Sequence, residues 1–240
     1  MSLRSETVNV LYVLATPTQV FEDINRDPRW RVPFLFVMIS SLAIGWLMIP
    51  AVEEPMRKLY ARSFGESSAD SVISSIMRSL LIIEMVVEPF LRIVRWLLIA
   101  SVLYFLCYLL FDNRRLSFRK CFSIAAYSET ILILMSMLDL FIIYARGLDQ
   151  VENSGDLRIL NKGLEFFLTP TGTNRSLAAL LSAITLPSLL YMMLISIGVS
   201  VVAGLKRSSS LGIVGITWLF WVTVCAARPF IDKVFFDMIT

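Results

Sequence analysis

Long apolar runs separated by short charged segments set the pattern of this chain. A helix needs about 20 mostly apolar residues to cross the roughly 30 Å hydrocarbon layer of a membrane. Five stretches meet that length: 32–52, 93–111, 121–145, 177–204 and 211–227. Arg31 and Glu53 bound the first, Arg92 and Arg95 stand at the start of the second, and Arg228 follows the fifth. The fourth holds 28 residues, about 42 Å of helix at about 1.5 Å per residue. That exceeds the hydrocarbon layer. Pro187 removes a backbone donor near its middle, so a kink or a tilt is expected there.

Shorter segments carry helical periodicity with charge mixed in. In 71–89, Val72, Ile73, Ile76, Leu80, Ile83 and Val87 keep helical spacing, while Arg78, Glu84 and Glu88 interrupt the run. A charge at the bilayer centre costs at least about 2.5–3.5 kcal/mol. The segment therefore reads as an amphipathic helix lying in the interface rather than as a sixth span. Near the start, Thr16-Pro17 followed by Gln19 is a helix-start signature. Val20, Phe21 and Ile24 form a small apolar face, and Asp27-Pro28 ends the pattern. A second interfacial helix is expected there. The stretch 157–168 predicts a third, with Leu160, Leu164, Phe167 and Leu168 toward the bilayer surface.

Composition fixes the class. Apolar residues make up 57% of the 240 and charged residues 17%, against about 45–50% and 25% in soluble domains. The expected fold is an all-α integral membrane bundle of five transmembrane helices with short interfacial amphipathic helices. Residues 1–31 form an N-terminal amphipathic segment, 32–228 the membrane domain and 229–240 a short tail. The first 15 residues lack the pattern of a cleavable signal peptide.

Charge then orients the bundle. With five spans, 1–31, 112–120 and 205–210 share one side and carry ten Lys and Arg against five acids. The other side carries twelve of each. The dense loops are Arg114 to Lys120 and Lys206-Arg207. The positive-inside rule makes that side cytoplasmic, with the C-terminus outside. The net +3 is thus a topology signal and an attraction to lipid headgroups. No nucleic-acid motif accompanies it.

Candidate chemistry is sparse. Glu129 and Asp139 lie inside the third apolar run, with Tyr127 beside Glu129. Acids within a membrane are functional candidates, for example on a proton or cation path, with structural hydrogen bonding as the alternative. Ten positions apart, they are separated by about 15 Å along a helix and cannot act as a close pair. Deep basic partners are not expected in the other runs. Ser196, Ser200 and Gly204 recur every four residues, as do Ser41 and Gly45. Such stripes allow close helix approach, within the bundle or across a homo-oligomer interface. Cys107, Cys121 and Cys225 are scattered, and the chain holds no His. Ser-His, Cys-His and zinc-His schemes are excluded, no phosphate-binding loop occurs, and neither a metal nor a cofactor is expected.

Several fragments, in order, resemble the Yip family of membrane proteins, which bind Ypt/Rab GTPases in eukaryotes. They are Thr16 to Ile24, Asp27-Pro28-Arg29-Trp30, Pro33, Leu116 to Arg119 and Ala125 to Ser128. Asn161 to Leu164, Leu194 to Arg207, and Trp218-Leu219 with Trp221 continue the series, so the likeness spans 16–228. The opening is similar to prokaryotic members. The resemblance implies five spans, a cytoplasmic N-terminus and a place in a bacterial inner membrane or archaeal equivalent. It implies a non-enzymatic scaffold or adaptor in membrane organisation or trafficking, acting through membrane-protein partners. The long cytoplasmic arm of eukaryotic members is absent, which argues against a Rab-type GTPase as partner, and Glu129-Thr130 stands where the family often has Pro. A small transporter or channel using the intramembrane acids is the alternative.

Overall fold

The structure is a computed structural model that describes residues 10–64, 78–111, 116–147, 163–164 and 181–239, with side chains described to Glu53 in the first block and to Thr223 in the last. Among the described residues, helices follow in this order: α1 Pro17–Arg26, α2 Arg31–Phe64, α3 Arg78–Phe111, α4 Phe118–Ser128, α5 Thr130–Arg146, α6 Leu186–Ala203 and α7 Arg207–Ile239. A short helical stretch at 10–15 precedes α1. No strand occurs among the described residues.

Among the described residues, four helical stretches are long and apolar enough to cross a membrane: Arg31–Glu53, Leu81–Phe111, Phe118–Arg146 and Leu186–Ala203. The expected fifth, 211–227, lies within α7, whose side chains beyond Thr223 are outside the described residues. Large apolar side chains stay exposed along the helices, including Ile39, Trp46, Phe105, Leu109, Phe141 and Leu219. An outer surface of that kind requires an apolar surrounding medium.

Three helix boundaries depart from the sequence expectation. Residues 78–89 are the first turns of α3, continuous with the second span through Pro89. They are neither a separate interfacial helix nor a sixth span, because a second crossing would need a reversal of direction before 93. The remainder of that segment, 71–77, lies outside the described residues, as does most of 146–176. The candidate span in α3 has 31 residues, about 46 Å of helix, so it must tilt or project beyond the layer.

Pro187 does not kink a helix; it starts one. It stands in the first turn of α6, where its missing N–H has no helical acceptor to lose. Thr185 is the N-cap and forms a reciprocal capping box with Ser188, whose backbone N–H donates to Thr185 Oγ1 at 3.1 Å. The fourth span therefore shortens to 18 residues.

The third departure is at Glu129, which separates α4 from α5 while its backbone stays in the right-handed helical region (φ −59°, ψ −24°), so the span runs on through it. The Glu129 N–H still donates to Ala125 O, and its carbonyl accepts from Leu132 and Ile133.

The N-terminal helix α1 also differs from an interfacial helix. Val20, Phe21 and Ile24 are buried, and α1 packs on α6 and α4 rather than presenting this face to lipid. Gly198 makes the approach possible: a Cβ there would lie 2.7 Å from Ile124 and 3.0 Å from the Phe21 ring. Lys120 Nζ donates to Asn25 Oδ1 at 2.7 Å, tying α1 to the start of α4. Residues from α1, α3, α4 and α6 share one buried core.

Candidate functional site

The polar centre of the bundle is built around Glu129, which is fully buried. Because α3 begins at Arg78, Arg92 and Arg95 sit in its middle turns rather than at its start. One face of α3 then meets the turn between α4 and α5. Arg92 Nη1 donates to Glu129 Oε1 at 2.7 Å, and Arg95 Nη2 donates to the same oxygen. Trp96 Nε1 donates to Glu129 Oε2 at 3.0 Å. Arg92 also pairs with Glu88, one turn earlier on its own helix. The expectation that no basic residue lies deep in another span is thereby corrected. Two guanidinium groups meet the carboxylate from a neighbouring helix.

Aromatic rings enclose this cluster. Trp96 meets Phe34 and Phe122 edge-on at 6.1 and 6.0 Å. Trp30 meets Phe34 and Phe122 at 5.7 and 5.6 Å. Edge-to-face rings at these separations attract and fix one another. Trp96 is thus held by α2 and α4 in the orientation that aims its N–H at Glu129. In a low-dielectric interior a carboxylate with all its donors in place is a strong joint, and one missing a donor is a severe fault.

The other expected residues are dispersed. Tyr127 is buried on α4, and Asp139 is buried on α5, nearly three turns beyond Glu129 at about 3.6 residues per turn. Ser196 is buried and donates to Ser210 Oγ at 3.2 Å, while Ser210 donates to Ser196 O. That exchange joins α6 to α7. Ser200 Oγ donates to Leu205 O at 2.8 Å. Gly204 is not part of a packing stripe. It is exposed, a Cβ there would meet nothing, and its φ of 66° closes α6 in the left-handed region that glycine favours. Ser41 is buried. Gly45 faces α3, where a Cβ would lie 2.6 Å from Met85 Cγ.

Beside the cluster is a cavity of about 500 Å³. Arg95, Ile99, Leu132, Thr185, Tyr191 and Trp218 are on its wall, together with further residues of α6 and α7. Glu129 is not on that wall. The Arg95 guanidinium lies over the Tyr191 ring, 5.7 Å from its centroid, a favourable cation–π distance. Neither Arg95 nor Tyr191 stands out in the sequence as part of a site. The available signal was Glu88, Arg92 and Arg95 at helical spacing with apolar residues on both sides. Among the described residues, no cluster of His, Cys, Asp and Glu could hold a metal ion.

Comparison with curated proteins and with solved structures gives no match. The family model of the Yip1 domain matches residues 11–230. That range takes in α1 to α6, most of α7 and the ionic cluster at the centre of the bundle, and by this match the chain belongs to the Yip1 domain family of membrane proteins.

Proposed function

We propose that this Yip1-domain membrane protein is a non-enzymatic scaffold or adaptor that organises other membrane proteins. The observation that carries the reading is the state of Glu129. Both of its oxygens accept hydrogen bonds from α3, the side chain is fully buried, and the cavity wall does not include it. A carboxylate that relays protons or cations must exchange partners and meet water. This one is committed to joining helices, which favours a static bundle over a transport path.

The proposed topology has five spans, the fifth being 211–227, with the N-terminus and the basic loops in the cytoplasm of a prokaryotic cell. The Lys120–Asn25 hydrogen bond supports it, since it joins the N-terminal helix to the Arg114–Lys120 loop region. A reporter fused after Thr240 is expected to report the outer compartment; a cytoplasmic signal contradicts the five-span order.

The functional reading is tested in two parts. Purified protein in liposomes is expected to carry no proton or cation flux above protein-free vesicles. A flux that Glu129→Gln abolishes would establish the transporter instead. Photo-crosslinking from Phe118 and Arg207, both exposed next to basic loops, is expected to give discrete adducts with membrane proteins in native membranes. Adducts with lipid alone contradict the adaptor.

A further inference from the structure

We propose that the cavity between α3, α5, α6 and α7 is a binding site for a single-chain anionic amphiphile, with its charged head at Arg95 and Tyr191 and its chain against α7. The site shares Arg95 with the Glu129 joint and does not depend on the adaptor reading.

Four observations converge. First, the cavity of about 500 Å³ falls within the roughly 300–1,000 Å³ of small-molecule sites. Second, its wall carries both chemistries. Ile99, Ile195, Val214, Trp218 and Trp221 supply apolar surface, and Arg95, Thr185, Ser188, Tyr191 and Thr217 polar groups. Third, these polar groups include unspent donors. Arg95 Nε and the Tyr191 hydroxyl are buried without a hydrogen-bond partner, and Tyr191 as a whole is 8% exposed. Both residues are on the cavity wall, and most buried polar groups in folded proteins are paired, so two unpaired donors beside one cavity call for an acceptor that small side-chain rotations would reach. The Arg95 side chain keeps 22% exposure although Nη2 is engaged with Glu129. Fourth, α6 begins at this wall, and the N-terminal end of an 18-residue helix favours negative charge.

The cluster of Arg92, Arg95, Glu88 and Glu129 is neutral overall, so the open donors, not net charge, point to an anionic acceptor. Glu129 is shared by Arg92 and Arg95, and Arg92 has Glu88 as a second partner. Arg95 has no second carboxylate among its ion pairs. A carboxylate or phosphate head would accept from Arg95 Nε and Tyr191 Oη after small side-chain rotations. The indoles of Trp218 and Trp221 would then lie along the chain. Fatty-acid carboxylates and lysophospholipid phosphates share this chemistry.

The test uses the full chain in nanodiscs of zwitterionic lipid, with tryptophan fluorescence as the signal. The probes are a brominated fatty acid, its methyl ester, a brominated lysophosphatidic acid and inorganic phosphate. Saturable quenching by the two anionic chains is expected, at least tenfold tighter than by the ester. Trp218→Phe with Trp221→Phe is expected to remove most of it. Tyr191→Phe is expected to weaken it severalfold while keeping the ring over Arg95, and circular dichroism reports whether that variant is folded. Arg95→Lys serves as a second variant if it is not. Preference for one anionic chain over the other identifies the head group. Non-saturating quenching, equal for acid and ester and unchanged in the folded variants, overturns the proposal. Displacement by inorganic phosphate alone overturns the amphiphile and leaves a free-anion site.

Discussion

Replacing Glu129 by Gln keeps the shape of the side chain and removes its charge. The carboxylate accepts from Arg92 and Arg95 at one oxygen and from Trp96 at the other. A Gln amide has one acceptor and one donor end. Whichever way it turns, its NH2 faces either the two guanidinium groups or the indole N–H. Arg92 retains Glu88, but Arg95 loses its ion pair inside the bundle. Removing one partner of a buried pair typically costs about 3–5 kcal/mol, because the remaining charge stays buried. At about 2–4 °C per kcal/mol for a chain of this size, the melting temperature should fall by roughly 6–20 °C. The assay is thermal unfolding of purified protein in mild detergent, followed by intrinsic fluorescence and by retention on size exclusion. Glu129→Asp, which keeps the charge on a shorter stem, should lose less. A fall of under about 2 °C for Glu129→Gln would refute the reasoning, since it is smaller than a single kcal/mol would produce.

Three further outcomes follow from the packing. Gly198→Val puts branched carbon into the space shared by Ile124 and Phe21; overpacking of this kind costs about 1–3 kcal/mol, and limited proteolysis should release the N-terminal helix faster than in the parent. Thr185→Ala removes the capping box of α6 and should cost about 1 kcal/mol in the same melting assay. Pro187→Ala should change stability by less than about 1 kcal/mol, because the residue occupies the first helical turn rather than an interior kink.

Hydropathy located the apolar runs because each must exceed the bilayer thickness, and the four described spans overlap those runs. The same rule misplaced Arg92 and Arg95. A charge within a span is costly, so hydropathy ends the run at them and gives the preceding turns to the interface. The compensating partner, Glu129, lies 34 and 37 positions away, and no local pattern records such a pairing. Pro187 failed for a different reason: a proline inside a long apolar stretch fits a kink and a helix start equally well. Thr185-x-x-Ser188 decided for the start only once both hydroxyls were seen to engage the first turn. The face of α1 was read correctly as Val20, Phe21 and Ile24, but periodicity does not say what covers a face. Here Gly198 on a distant helix decides it. The cavity is not legible in the sequence, since its walls come from four helices and its polar groups from residues far apart in the chain.

A double-mutant cycle between Arg95 and Glu129 tests the ionic joint most directly. Arg95→Gln, Glu129→Gln and the double variant are unfolded under identical detergent conditions, and their free energies are compared with the parent. Residues in direct contact within one network couple by about 0.5–3 kcal/mol. The double variant, free of a buried uncompensated charge, is therefore expected to be more stable than the sum of the single losses by at least about 1 kcal/mol. Additivity within about 0.5 kcal/mol would mean that the two side chains do not interact in the folded protein, and the joint between α3 and the α4–α5 turn would have to be abandoned.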